Sequence, residues 1–144
     1  MTMSPNVTAH AAAPGPVGGP SRGSALSLSA QARTVLLDAA ASADAGERFR
    51  LAHLAALRTA AAVAADRGRP AGTRRRLMNV WVLLERVAPE YAEWAAYFAA
   101  GAAVRAAVEA GAVSAVSARS AEDQLRSATE FLALVEGSLG LLAA

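Results

Sequence analysis

The stretch Asp44–Asp66, DAGERFRLAHLAALRTAAAVAAD, decides how this chain folds. Phe49, His53, Ala56, Ala60 and Val63 follow one another at steps of four and three, the spacing that stacks side chains on one stripe of an α-helix. Leu54 and Leu57 widen that stripe. Asp44 with Glu47 three residues on is a capping-box start, because the two side chains can satisfy backbone amides that a helix leaves unpaired. Alanine fills most remaining positions and has the highest intrinsic helix propensity. The pattern predicts one long helix from Asp44 to about Asp66.

Working outward toward the start of the chain, Val35, Leu36 and Leu37 belong to a shorter helix that begins after Ser27 or Ser29, either of which can cap it, and runs toward Ala43. Pro5, Pro14, Pro16 and Pro20 are spaced too closely for a helix or strand, so residues 1–27 are expected to form a disordered Pro/Gly/Ala-rich tail and residues 28–144 the folded body. The tail lacks a charged start followed by an apolar run, so it does not read as a secretory signal.

In the other direction, Gly68, Pro70 and Gly72 break the helical pattern. A third helix follows with Leu77, Val80, Trp81, Leu84 and Val87, and Pro89 ends it while opening a fourth. The fourth carries Tyr91, Trp94, Phe98, Gly101, Val104 and Val108, with Gly111 as its terminator. The last starts near Ser117 or Ser120 and shows Leu125, Ala128, Leu132, Val135 and Leu139. Five helices with short connections, no period-two strand pattern and no repeat predict an all-α, five-helix up-and-down bundle. No apolar run is long enough to cross a membrane.

Several chemistries are excluded by composition. The chain has no cysteine, hence no disulfide framework and no thiolate nucleophile or ligand, which fits a reducing, cytoplasmic setting. All 14 basic residues are arginine, so there is no P-loop lysine, and neither a nucleophile elbow nor a His-Glu-x-x-His zinc motif occurs. No metal or cofactor is expected.

Charge is distributed unevenly. The formal net charge is only +2, yet Arg67, Arg69, Arg74, Arg75 and Arg76 fall within ten residues that hold no acid. Arg74, Arg75 and Arg76 sit where the third helix is expected to begin, where positive charge opposes the helix dipole. Clustered guanidinium groups bind phosphate in forked geometry, so this segment is a candidate contact for RNA or DNA. Arg67-Gly68-Arg69-Pro70 also has the core of a minor-groove AT-hook, although Ala71 and Gly72 replace the basic residues that usually follow. The alternatives are a solvated basic loop or an acidic protein partner.

His53 is the one imidazole of the folded part, the other histidine being in the tail. Within an apolar stripe it reads as a core histidine; exposed, it would be a general base. Trp81, Tyr91, Trp94, Tyr97 and Phe98 lie within eighteen residues and read as core or as a stacking platform for bases. Glu90 and Glu93 read as first-turn acids that favour a helix N-terminus.

Taken together, Arg48–Val63 (RFRLAHLAALRTAAAV), Asn79–Gly111 and Ala121–Gly140, with the corner running from Trp81 through Ala88-Pro89-Glu90 to Glu93-Trp94, resemble an actinobacterial branch of small HEPN domains, the higher-eukaryote and prokaryote nucleotide-binding class. The resemblance covers nearly the whole body. It implies a helical bundle that forms homodimers and an association with RNA, nucleotides or toxin–antitoxin regulation. HEPN ribonucleases carry an Arg-x4-6-His motif near the start of the final helix; here the final helix has Arg119 and Arg126 but no histidine, which implies a non-catalytic member. Arg48 and His53 match the spacing earlier in the chain and form the alternative, a metal-independent ribonuclease acting across a dimer interface. A bundle that only binds other proteins is a third reading.

Overall fold

The computed structural model describes residues 20–68, 79–112 and 116–141, and all secondary structure in them is helical. The elements are α1 (Arg22–Ala41), α2 (Ala45–Arg67), α3 (Val80–Val87), a 3₁₀ turn (Pro89–Tyr91), α4 (Ala92–Ala100), α5 (Ala102–Glu109) and α6 (Ala118–Ser138).

Helix α1 starts six to eight residues earlier than expected. Ser21 is its cap, with Oγ accepting from the Ser24 amide at 3.2 Å, whereas Ser29 is buried. The physical reason is that Pro20 is the last proline of the tail and sits just before the cap; nothing from Arg22 onward resists a helix. Residues 21–27, expected in the tail, thus supply the cap and first turns of α1. The tail expected over residues 1–19 lies outside the described residues.

Helices α1 and α2 form an antiparallel hairpin across a three-residue turn. Its seam is rich in alanine: Ala25, Ala32 and Ala39 are fully buried at intervals of seven along α1, with Ser29 and Leu36 between them, and share one core cluster with Ala52, Ala55, Ala56 and Ala60 of α2. The Ser21 amide donates to the Ala65 carbonyl at 2.6 Å and ties the open end of the hairpin. Asp44 caps α2 by accepting from the Glu47 amide at 2.8 Å, and Gly68 closes it at φ +81°, a left-handed conformation that glycine adopts without a Cβ penalty.

Helix α3 has Asn79 as its cap, Oδ1 accepting from the Trp81 amide at 2.7 Å. Arg74, Arg75 and Arg76 come before this cap in the sequence and lie outside the described residues. The single fourth helix of the sequence reading is divided at Gly101 into α4 and α5. Ser117 caps α6 through the Ser120 amide, 3.0 Å away.

Helix α2 is central, packing against α1, α3, α5 and α6. The thickest part of the core is aromatic: Phe98 and Phe131 are fully buried with centroids 5.5 Å apart, and Trp81, Trp94 and Tyr91 pack around them. Burying each ring is worth about 2–3 kcal/mol, so this cluster anchors α3, α4 and α6 together. Among the described residues no helix is long and apolar enough to cross a membrane.

Candidate functional site

His53 sits on the core face of α2 and has no solvent exposure. Phe49 stacks parallel to it one turn earlier, at 6.3 Å and 9°, while Trp81 and Phe98 meet it edge-on at 5.8 and 6.4 Å. Its Nε2 lies 2.8 Å from the Phe98 carbonyl oxygen. A carbonyl can only accept, so Nε2 carries the proton and donates. Nδ1 is left without a hydrogen-bond partner among the described residues.

Burial is the largest influence on this imidazole and lowers its pKa below the ordinary 6.5. The bond to Phe98 and the distant Glu109 oppose the shift; Arg105 reinforces it. The ring is therefore a neutral core donor that binds α2 to the end of α4.

Arg48, five positions earlier, is turned to another task. Its NH2 donates to the Ser42 carbonyl at 2.6 Å and to Ala40 at 3.4 Å, and its Nε donates to Ala39 at 3.3 Å, so the guanidinium closes off the C-terminal carbonyls of α1. It also pairs with Glu122 near the start of α6. The structure does not bring Arg48 and His53 of the ribonuclease reading together: His53 is enclosed, and Arg48 is committed to backbone oxygens and a carboxylate.

Of the arginine segment only Arg67 lies among the described residues. It donates to the Val87 carbonyl at 3.1 Å and forks onto both oxygens of Glu90, at 3.3 and 2.5 Å. That bond raises the guanidinium pKa and lowers that of the Glu90 carboxyl. Glu90, expected only to favour a helix N-terminus, fastens the end of α2 to the corner after α3. Arg69, Arg74, Arg75 and Arg76 lie outside the described residues.

The aromatic run does not form a platform for bases. Trp81, Tyr91 and Phe98 are buried, Trp94 stacks at 5.5 Å on Phe131, and Tyr97 alone is substantially exposed. Among the described residues no group of three or more His, Asp or Glu is placed to hold a metal ion.

Two ion pairs had no signal in the sequence, Arg48–Glu122 and Arg33–Glu136. The second places a nearly buried carboxylate of α6 against α1, with Arg33 Nε donating at 3.1 Å. Between them they hold α6 antiparallel to α1. No local pattern links residues 74 and 103 positions apart; Asn79, by contrast, was readable as a cap from its residue type alone.

The antiparallel first hairpin, the aromatic corner and the long last helix make a small all-α bundle. Residues 39–136 match the SAV_6107-like HEPN family, and the chain belongs to that family. No curated protein and no solved structure matches it.

Proposed function

We propose that this chain is a cytoplasmic, non-catalytic HEPN module that associates with nucleic acid through the segment Arg67–Arg76. One observation carries the non-catalytic half: the single histidine of the matched region is shut inside the core, hydrogen-bonded to a main-chain carbonyl. Metal-independent cleavage of RNA needs a base within reach of a ribose hydroxyl, and among the described residues no imidazole is presented. The nucleic-acid half is supported by charge. Arg67 is neutralised locally by Glu90, so Arg69, Arg74, Arg75 and Arg76 supply the cationic contact, with no acid in the segment to offset them.

The test is retention and cleavage of labelled single-stranded RNA at several salt concentrations, with wild type beside an Arg74→Ser, Arg75→Ser, Arg76→Ser triple variant. Retention without cleavage is expected, falling with salt. Losing up to three phosphate contacts lowers the log–log salt slope by about 2, at about 0.7 per contact for a single strand. Unaltered affinity and slope in the triple variant would refute the basic contact, and cleavage lost on changing His53→Gln would establish the ribonuclease instead.

A further inference from the structure

We propose that α5 is a displaceable flap over the Phe49–His53 stripe of α2, hinged at Gly101, with the hinge anchored to α2 by the bond between His53 and the Phe98 carbonyl. This goes beyond the binding role above and stands independently of it.

The hinge is visible in the backbone. Gly101 ends α4 and opens α5, and its amide turns back to the Phe98 carbonyl at 3.0 Å. The same oxygen takes the Nε2 proton of His53 at 2.8 Å, so the side chain on α2 holds the point where the helix divides. The fit is close: a Cβ on Gly101 would stand 3.3 Å from both His53 Cδ2 and Phe49 Cζ.

What lies beyond the hinge is weakly held. Every other described α-helix has at least two buried residues; α5 has none. Its Val108 rests on Gly46 in the first turn of α2, where a Cβ would be 3.4 Å from Cγ1. Arg105 has its Nε enclosed without a hydrogen bond, and its nearest carboxylate is Glu109 of the same helix at 3.7 Å. That group recovers water when the flap lifts, which favours opening. Eight residues are too few to hold a helix once detached, so displacement and local unfolding of α5 are one event. Opening uncovers the first turn of α2 beneath Val108 and gives Arg105 Nε, partnerless in the closed form, access to solvent.

Native-state hydrogen exchange on the full chain tests this. Amides of residues 102–109 are expected to exchange at least about 100-fold faster than those in the middle of α2 and α6. The chain has no cysteine, so Gly46→Cys with Val108→Cys creates a single thiol pair at the flap's tip. Oxidation is expected to slow exchange of α5 toward that of α6, and reduction to restore it. Gly101→Ala, which presses a methyl group on His53 and Phe49 at the hinge, is expected to speed exchange in α5 while leaving α6 unchanged. Exchange of α5 at the rates of α2 and α6 in wild type would overturn the proposal. So would an α5 rate unmoved by a disulfide whose formation is confirmed by mass, or by Gly101→Ala.

Discussion

Replacing Arg48 with methionine separates an architectural arginine from a catalytic one, because the structure assigns this guanidinium a definite load. Methionine keeps most of the apolar stem and removes the charge. The 2.6 Å bond to the Ser42 carbonyl is charge-assisted and part-buried, worth about 1.5–3 kcal/mol. The bonds to Ala39 and Ala40, at 3.3 and 3.4 Å, are long and add little. The pair with Glu122 is worth about 0–1 kcal/mol, since that carboxylate is 54% exposed. Arg48→Met should therefore cost about 2–3 kcal/mol, or about 8–15 °C in Tm for a fold of this size. Glu122→Gln should cost less than about 1 kcal/mol. Urea unfolding followed by far-UV circular dichroism measures both, with a shifted midpoint at constant m as the sign of a pure stability change. A loss below about 1 kcal/mol for Arg48→Met, or equal losses for the two variants, would refute the reasoning that the α1 carbonyls are its main partners.

The pH profile of stability should carry the signature of His53. Its folded pKa is depressed by burial, so the unfolded chain binds a proton first; stability is full above 6.5 and falls as pH drops through 6.5 toward the folded value. His53→Gln, which retains a donor for the Phe98 carbonyl, should flatten that acid limb in denaturation curves taken between pH 7.5 and about 5. At the start of α3, Asn79→Ala removes the acceptor for the Trp81 amide and should lower stability by about 1 kcal/mol, whereas Asn79→Asp should restore it; equal stability of all three by thermal melting would show that the cap is not what starts this helix.

Periodicity carried the fold a long way. The stripe Phe49, His53, Ala56, Ala60 and Val63 is buried along its length, and Asp44, Gly68, Ser117 and Gly111 stand at the helix ends where their chemistry places them. The family resemblance was legible too, and the corner that helped carry it packs around Phe98, on which Trp81 and Trp94 both stack. The errors came from steps decided by a single contact. Ser21, Ser27 and Ser29 are equivalent as caps in sequence, and the last proline settles which is used. Gly101 reads as a small residue inside a helix; the structure divides the helix there, next to the Phe98 carbonyl that His53 binds across from α2. At the candidate site, burial distinguished the two roles of His53, whereas the partners of Arg48 lie on α1 and α6 and are set by tertiary packing.

The alanine seam between α1 and α2 has a further consequence. Alanine has no side-chain rotamers to freeze, so at its alanine positions closing this hairpin costs backbone freedom and almost nothing else. For the same reason the seam has no alternative packing to adopt: a methyl group can be present or too large, but it cannot rearrange. Variation accepted elsewhere by shuffling rotamers would here push two backbones apart. The hairpin should behave as a stiff local unit, closed early from neighbours in sequence, against which the more adaptable aromatic half of the bundle is assembled.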